Sequence, residues 1–239
     1  MNVETQSQRI IQWIKEKVED AGAKGCVFGL SGGIDSAVVA GLCKRAFPEG
    51  VLGLIMPCHS NPIDEKMALL AAEEFEIPVE KIVLDETFDT LMKAFKSNPS
   101  ERSLAVANIK PRLRMLTLYY FASKNNFLVI GTGNKSELTV GYFTKYGDSG
   151  VDLLPLGNLV KTQVRELAKY LGVPKDIIQR PPTAGLWEGQ TDESEMGITY
   201  EELDKYILTG QGEERVKMIV DSMNKKSEHK RKLPPIPVF

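Results

Sequence analysis

The stretch Gly29-Leu-Ser-Gly-Gly-Ile-Asp-Ser36 constrains the fold of this chain more than any other. An apolar run at residues 26–28 leads into it. Apolar and small residues then recur at helical spacing, at Ile34, Ala37, Val38, Gly41 and Leu42. This order predicts a strand, a tight glycine turn and a helix. Because such a turn directs backbone N–H groups and a helix N-terminus at one point, we expect residues 29–36 to bind phosphate.

The side chains of this loop suit a nucleotide. Gly32 and Gly33 have no Cβ, so the backbone can approach a ligand closely. Ser31 and Ser36 offer hydroxyl donors, and Asp35 offers an oxygen ligand for Mg²⁺. The loop lacks the closing Lys-Ser/Thr pair of the Walker motif, and the chain contains no G-x-G-x-x-G fingerprint. It is therefore a different class of phosphate loop.

Strand and helix patterns alternate along the chain. Helices are predicted at 3–20, 62–75, 87–124 (broken near 97–100), 160–171 and 216–223, with strands at 26–28, 51–57, 81–85, 127–132 and 153–156. Residues 181–189 and 191–196 are predicted to form a loop. The alternation predicts an α/β fold, a Rossmann-like doubly wound parallel sheet with helices on both faces. With no repeat and no linker, residues 1–239 are expected to form a single domain.

Four segments are predicted to end at the same rim of this sheet. They begin at Ser31, Met56, Asp85 and Gly131. Nucleotides in doubly wound sheets bind beyond the carboxyl ends of the strands. The convergence strengthens the nucleotide interpretation.

Composition excludes several other classes of protein. A net charge of −2 argues against nucleic-acid binding, and no apolar stretch is long enough to span a membrane. The N-terminus has no signal-peptide pattern. The three cysteines, Cys26, Cys43 and Cys58, are widely spaced and contain no C-x-x-C, which favours packing roles in a reducing compartment. We expect a cytoplasmic protein.

Four further blocks, at residues 131–138, 141–152, 155–162 and 180–193, follow in a recognisable order. With the SGGxDS loop, they resemble the ammonia-dependent NAD⁺ synthetases, which are N-type ATP pyrophosphatases with an adenine nucleotide alpha hydrolase-like fold. The resemblance implies that ATP activates the nicotinate carboxylate of deamido-NAD⁺ as an acyl adenylate, releasing pyrophosphate. Ammonia then displaces AMP and yields NAD⁺.

The same resemblance assigns roles to particular residues. It implies Mg²⁺ at Asp35 and Glu137, and catalytic roles for Asp35, Lys161 and Asp152. ATP would contact Gly29, Leu30, Ser31, Gly32, Gly33, Ile34, Asp35, Ser36, Thr132, Lys161 and Thr183. Deamido-NAD⁺ would contact Arg112, Lys145, Asp152, His229 and Lys230. Residues 181–196 and the basic, proline-rich tail at 224–239 would cover the site, although on charge pattern alone residues 225–232 read as a solvated tail.

One position departs from the family pattern. Pro111 stands where alanine is expected, in the predicted helix that carries Arg112. Proline inside a helix removes a hydrogen bond and kinks the helix. Arg114 is therefore a second candidate for the role of Arg112.

Two other classes of function remain open at this stage. The first is another enzyme with the same loop, such as GMP synthetase or a tRNA sulfurtransferase; the absence of a C-x-x-C and of a basic face disfavours the latter. The second is an ATP-binding sensor module without chemistry, which would not need Asp35, Glu137 and Lys161 together. An enzyme should turn over ATP in a manner that depends on Mg²⁺ and on a carboxylate substrate, whereas a sensor module should not.

The nitrogen donor and the oligomeric state complete the expectations. The residues before the predicted first strand are too few for a glutaminase domain, so free ammonia is the expected donor. A separate glutaminase partner stays open. The resemblance implies a homodimer, with apolar surface supplied by Leu104, Ile109, Leu113, Leu116, Tyr120 and Phe121. The same residues could equally belong to the core of one chain.

Overall fold

A four-stranded parallel sheet forms the centre of the molecule. The computed structural model describes residues 2–183 and 191–238. The strands are β1 (Cys26–Gly29), β2 (Val51–Ile55), β3 (Val79–Lys81) and β4 (Leu128–Val129). They lie in the order β3-β2-β1-β4, with every pair parallel. The order reverses between β1 and β4, which makes that position the topological switch point of the sheet.

Side chains of β1 alternate between the two faces of the sheet. Cys26 and Phe28 pack in one buried cluster, and Val27 packs in another on the opposite face. This is the period of two expected for a strand that is buried on both faces. Both faces are therefore covered by helices, and the predicted doubly wound α/β class is confirmed.

Thirteen helices are assigned within the described residues, and several pack on the sheet. They are α1 (Val3–Asp20), α2 (Ile34–Ala46), α3 (Pro62–Glu74), α4 (Asp85–Ala94), α5 (Leu104–Ala107), α6 (Ile109–Asn125), α7 (Lys135–Val140), α8 (Lys161–Leu171), α9 (Lys175–Ile178), α10 (Asp192–Met196), α11 (Tyr200–Thr209), α12 (Glu214–Lys226) and α13 (Glu228–Arg231). Helices α1, α2, α3 and α8 contribute to the first cluster, and α4 and α6 to the second.

A third buried cluster lies beside the sheet. It contains Val140 of α7, Met196 of α10, Tyr200 and Leu203 of α11, and residues of α12. Its members are apolar and fully or nearly fully buried, so α10, α11 and α12 form a small helical layer on α7. This layer places α7 and α11 next to the N-terminus of α8.

Several predicted boundaries are wrong. The third strand was expected at 81–85 but covers Val79–Lys81, and Asp85 instead begins α4, where a carboxylate is favoured by the helix dipole. The fifth strand is reduced to one parallel bridge between Ile130 and Leu153. The predicted loop at 191–196 contains α10, and α11 was not predicted.

The expected kink at Pro111 is also absent. Pro111 is the third residue of α6, in the first turn, where backbone N–H groups have no intrahelical partner. The break between α5 and α6 lies at Asn108, three residues before the proline. The proline therefore costs this helix no hydrogen bond.

Within residues 2–183 and 191–238, none of the helices combines the length and the apolar character needed to cross a membrane.

Candidate active site

A cavity of about 910 Å³ opens at the carboxyl ends of the strands. Gly29 of β1 and Ile55 of β2 line it, and so does Ile130, which follows β4. It thus lies over the switch point between β1 and β4, where doubly wound folds bind their ligands. It is large enough for a sizeable small-molecule ligand.

The glycine loop at residues 29–36 forms one wall of the cavity and is fixed by its own hydroxyls. The Ser31 hydroxyl donates to Ser36 Oγ at 3.1 Å, and the Ser36 hydroxyl donates to the carbonyl of Gly33 at 2.9 Å. Gly33 is the N-cap of α2, so the helix N-terminus begins at the loop. The loop is therefore preorganised as an anion site.

Gly32 is required where it stands. Its φ is +77°, a conformation that L side chains rarely adopt, and an added Cβ would lie 2.3 Å from the carbonyl oxygen of Asp64. The loop packs directly on the first turn of α3 at this point. A larger residue would push the two elements apart.

Arg180 holds this contact in place and was missed as a site residue by the sequence reasoning. One guanidinium nitrogen donates to the carbonyl of Gly32 at 3.2 Å, and the other donates to Asp64 Oδ1 at 2.7 Å. Arg180 also lines the cavity. Its position at the start of the 180–193 block was the available signal.

Lys161 lies between two carboxylates, one of which belongs to the glycine loop. Its ammonium donates to Asp35 Oδ2 and lies 3.4 Å from Glu137 Oε1. Its side chain is only 3% exposed, and the ring of Tyr200 lies 5.1 Å from Nζ. The first turns of α2, α7 and α8 supply these three charged groups. Three residues far apart in sequence thus converge on one point.

Asn134 ties the two carboxylates together, and it too was missed. Its side-chain amide donates to Asp35 Oδ1 at 3.0 Å, while its Oδ1 accepts from the backbone N–H of Glu137 at 3.1 Å. Glu137 Oε2 in turn accepts from the backbone N–H of Asn134, which completes a capping box on α7. The Asn-x-x-Glu spacing was the signal for this arrangement.

Burial and neighbouring charges shift the pKa values in this cluster. Burial raises the pKa of Glu137 to about 8; Lys161 opposes the shift and Asp35 adds to it. Burial disfavours the charge of Lys161, but Asp35 and Glu137 outweigh burial and raise its pKa above the ordinary value. Lys161 is therefore a permanent cation, unsuited to act as a base at neutral pH.

Acidic groups outnumber basic groups around the cavity. Among its described lining residues are four cationic side chains, Arg114, Lys161, Arg180 and Lys230. Against these stand seven carboxylates, Asp35, Asp64, Glu65, Glu137, Asp148, Asp192 and Glu195. A polyphosphate bound here needs additional positive charge close to the carboxylates.

The structure brings together every residue predicted for ATP and metal. All of residues 29–36 line this one cavity, together with Thr132, Glu137, Lys161 and Thr183. Asp35 and Glu137 both contact the ammonium group of Lys161, so their carboxylates lie close enough together to bind one metal ion. Residues 184–190 of the predicted covering loop lie outside the described residues.

Four of the five residues predicted for deamido-NAD⁺ form a second group at the edge of the cavity. Arg112 donates to the carbonyl of Lys145 at 3.3 Å, and Lys145 Nζ donates to the carbonyl of His229 at 2.6 Å. Lys230 donates to the carbonyls of Gly141 and Phe143 at 2.9 and 2.8 Å. Of these residues, Lys230 lines the cavity itself.

Asp152 lies apart from this group. Its carboxylate accepts from the hydroxyl of Tyr119 at 2.9 Å and from the backbone N–H of Val129 at 2.8 Å, so it binds the edge of β4. It does not line the cavity among the described residues. These contacts give Asp152 a structural role whatever else it binds.

Arg114, the second candidate, does line the cavity, whereas Arg112 does not. It is held by Met56, whose carbonyl accepts from Nε at 3.0 Å, and by the hydroxyl of Ser60 at 3.1 Å. These bonds attach α6 to the segment that follows β2. Arg114 therefore places a buried positive charge beside the cavity.

Comparison with known proteins agrees with this arrangement. The sequence profile described as NAD synthase matches residues 6–234. An NH(3)-dependent NAD(+) synthetase of Carboxydothermus hydrogenoformans is 53% identical, covering 100% of this chain and 99% of the relative. Two solved structures cover 100% of both chains. They are an NMN synthetase from Francisella tularensis (39% identical, TM-score 0.95) and an NH3-dependent NAD synthetase from Campylobacter jejuni (33% identical, TM-score 0.82). On this evidence the chain belongs to the NAD synthase family.

Proposed function

We propose that this protein is a carbon–nitrogen ligase that amidates deamido-NAD⁺ to NAD⁺ with ammonia, at the expense of ATP. The observation that carries the proposal is the convergence of the glycine loop, Lys161 and the Asp35–Glu137 pair on one cavity in a chain of this family. A sensor module would not need the three charged groups to meet.

The chemistry begins from a carboxylate, which is a poor electrophile. An oxygen of the nicotinate carboxylate attacks the α-phosphorus of ATP, and pyrophosphate leaves. The nitrogen of ammonia then attacks the activated carbonyl carbon, AMP leaves with the carboxylate oxygen, and the nitrogen loses a proton. Both steps depend chiefly on positioning and on charge stabilisation.

The glycine loop would hold the β- and γ-phosphates through its N–H groups and hydroxyls. Thr183 would add a phosphate contact, and Thr132 would contact the adenosine end. Lys161 would stabilise charge that develops at the α-phosphate, since its raised pKa keeps it protonated. Anchoring of the loop by Arg180 would keep these donors in position.

Mg²⁺ suits the donor set at Asp35 and Glu137. Both offer hard carboxylate oxygens at one point, in a cavity whose lining is richer in carboxylates than in cations. Asp35 and Glu137 would hold the ion, which would supply positive charge to the phosphate groups of ATP. The residues themselves contribute orientation, because Asn134 fixes both carboxylates.

Deamido-NAD⁺ would bind along the edge formed by Arg112, Lys145, His229 and Lys230, with Arg114 contributing from the cavity wall. A cationic edge complements the pyrophosphate of the dinucleotide. Asp152 would act on this substrate, as the family resemblance implies, by complementing the pyridinium charge or an incoming ammonium.

Residues 181–196 and 224–239 would cover the site and exclude water from the adenylate. Support comes from the second segment, whose α12–α13 turn packs tightly on α7. An added Cβ on Gly141 would lie 2.1 Å from Cβ of Ser227, and Arg231 donates to the carbonyl of Leu138 at 3.1 Å. A cover of this kind limits hydrolysis of the activated acid.

The compartment, the oligomeric state and the nitrogen donor are also proposed. A single domain working as a cytoplasmic homodimer fits the three free cysteines and the exposed apolar side chains of α5 and α6. Free ammonia is the nitrogen donor, with a separate glutaminase still an open source. No nucleic acid or membrane is required.

A second candidate function is amidation of nicotinate mononucleotide. It is favoured by the high structural similarity to a protein described as an NMN synthetase. Competition between equal concentrations of the mononucleotide and deamido-NAD⁺ separates the two, and we expect NAD⁺ to be the main product.

The proposal is tested by incubating the protein with ATP, Mg²⁺, deamido-NAD⁺ and ammonium chloride. We expect NAD⁺, AMP and pyrophosphate in equal amounts, with little NAD⁺ when glutamine replaces ammonium. Asp35→Ala should fold and abolish turnover. If ATP is cleaved only with another acceptor, deamido-NAD⁺ is not the substrate. If Asp35→Ala has normal activity, Asp35 is not a ligand of the metal ion.

A further inference from the structure

Asp204 is a buried carboxylate that lies outside the cavity and has no part in the chemistry above. It belongs to α11 and is 1% exposed. Its Oδ1 accepts a hydrogen bond from the Ser136 hydroxyl at 2.5 Å, and its Oδ2 accepts from the backbone N–H of Thr162 at 2.7 Å. One carboxylate thus binds two other helices, α7 and α8.

Ser136 of α7 also binds α8 directly. Its Oγ also accepts from the backbone N–H of Lys161 at 3.0 Å, and it is completely buried. Ser136 immediately precedes Glu137, and Lys161 immediately precedes Thr162. The Asp204–Ser136 pair therefore binds the backbone N–H groups of Lys161 and Thr162 in α8 through a side chain that is next to Glu137 in α7.

The physical reason for this arrangement is the uncapped start of α8. The first N–H groups of a helix lack intrahelical partners, and Val160, the N-cap residue, makes no side-chain capping bond. Asp204 and Ser136 satisfy the N–H groups of Thr162 and Lys161 from other elements. A negative charge at a helix N-terminus is also favourable.

We propose that Asp204 is a positioning residue, which acts through Ser136 to fix the separation of Lys161 and Glu137. The inference rests on the roles proposed above for Lys161 and Glu137. Because Ser136, next to Glu137, and the backbone N–H groups of Lys161 and Thr162 are joined through Asp204, loss of the carboxylate lets α8 shift against α7. Displacement of a positioned group by about 1 Å is enough to cost a large factor in rate.

The experiment compares Asp204→Asn, Ser136→Ala and the double variant. An amide keeps the shape of Asp204 but cannot accept both hydrogen bonds. We expect each single change to lower kcat about 10- to 100-fold and to raise the Mg²⁺ concentration needed for half-maximal rate. The KM for deamido-NAD⁺ should stay within about twofold, since that substrate binds elsewhere. The double variant should be little worse than either single variant, because both break one network.

Thr199→Ala is the matched control. Thr199 caps the same helix, α11, by accepting from the N–H of Glu202 at 3.2 Å, and its hydroxyl also donates to the Glu202 carboxylate, within α11 itself. It should lower the melting temperature while kcat and the Mg²⁺ dependence remain those of the wild type. If Asp204→Asn does not fold, Ser136→Ala decides the question.

Two results would overturn the inference. One is a loss of kcat in Asp204→Asn or Ser136→Ala that is no larger than in Thr199→Ala at equal loss of melting temperature. The other is multiplication of the two losses in the double variant. Lys161→Met separates the positioning role from the role on which it rests: if that change leaves turnover intact, the role proposed for Lys161 fails; if it abolishes turnover while Asp204→Asn is active, only the positioning role fails. Absence of NAD⁺ formation by the wild type would instead refute the proposed function.

Discussion

At the residue scale, the site depends on a lysine held by two acids. Lys161 is almost completely buried, and its charge is tolerated because Asp35 and Glu137 lie against it. The same contact keeps two carboxylates close together before any ligand binds. Each buried charge is therefore stabilised by the others, and removal of one leaves the rest buried without a partner, which lowers the free energy of unfolding.

Lys161→Met is expected to destabilise the Mg²⁺-free protein as well as to abolish turnover. It leaves the Asp35 carboxylate, and that of Glu137 where the pH exceeds its pKa of about 8, without a counter-charge, which costs about 3–5 kcal/mol. The melting temperature should fall by roughly 6–20 °C, measured by calorimetry in EDTA.

Lys17→Met is the control for this loss. Lys17 pairs with Asp20 at 2.9 Å on the exposed surface of α1, where such a pair is worth little. Its melting temperature should barely change. Equal destabilisation by the two substitutions would contradict the account of the buried cluster.

Glu137 gives the site a pH signature in the absence of Mg²⁺. Burial raises its pKa from 4.5 to about 8, so the folded protein holds this proton more tightly than the unfolded chain does. Its contribution to stability is therefore complete below about pH 4.5 and is lost as the pH rises towards 8. In EDTA, the melting temperature of Glu137→Gln relative to the wild type should rise across this range. A constant difference between the two proteins would contradict the raised pKa.

At the scale of elements, the SGGxDS loop and its flanking strand and helix could be predicted, because local periodicity and turn chemistry determine them. Neither Asn134 nor Arg180 was recognised in the site, since their partners lie far away in sequence. The third strand was placed too late in the chain because the apolar residues 82–84, which follow β3 and precede α4, suit a buried strand. The Thr199-x-x-Glu202 capping box was a usable signal for α11.

The α12–α13 segment should determine how much activated acid is wasted. Truncation after Asn224 removes Lys230 and Arg231, whose side chains bind the carbonyls of α7 and the residues after it. We expect fewer molecules of NAD⁺ per AMP, because water reaches the adenylate. Both products can be measured by chromatography.

Truncation after Lys232 is the matched control for that experiment. It removes the residues beyond α13, of which 233–238 are described and exposed, and keeps the contacts to α7. Its ratio of NAD⁺ to AMP should equal that of the full chain. If the ratio is unchanged in both truncated proteins, the α12–α13 segment does not protect the adenylate from water.

At the scale of the whole molecule, one face is conspicuously apolar. Leu104, Leu116 and Tyr120 are 67%, 64% and 63% exposed on α5 and α6. Large apolar side chains grouped on neighbouring helices are typical of a surface that another molecule covers. A second copy of the chain is the occupant that the family resemblance implies.

Leu116→Glu is expected to shift the protein from dimer to monomer in sedimentation equilibrium, because it places a charge within that apolar surface. Leu208→Glu, at an exposed position on α11, should leave the dimer intact. A wild-type protein that is monomeric at micromolar concentration would refute the dimer.

The central claim is that the nicotinate carboxylate is activated as an adenylate in this cavity. It is tested most directly with deamido-NAD⁺ labelled with ¹⁸O in its carboxylate, turned over with ATP, Mg²⁺ and ammonium. Mass spectrometry should find one ¹⁸O in AMP for each NAD⁺ formed, since AMP leaves with a carboxylate oxygen. Unlabelled AMP, with the ¹⁸O in pyrophosphate or inorganic phosphate, would contradict the account.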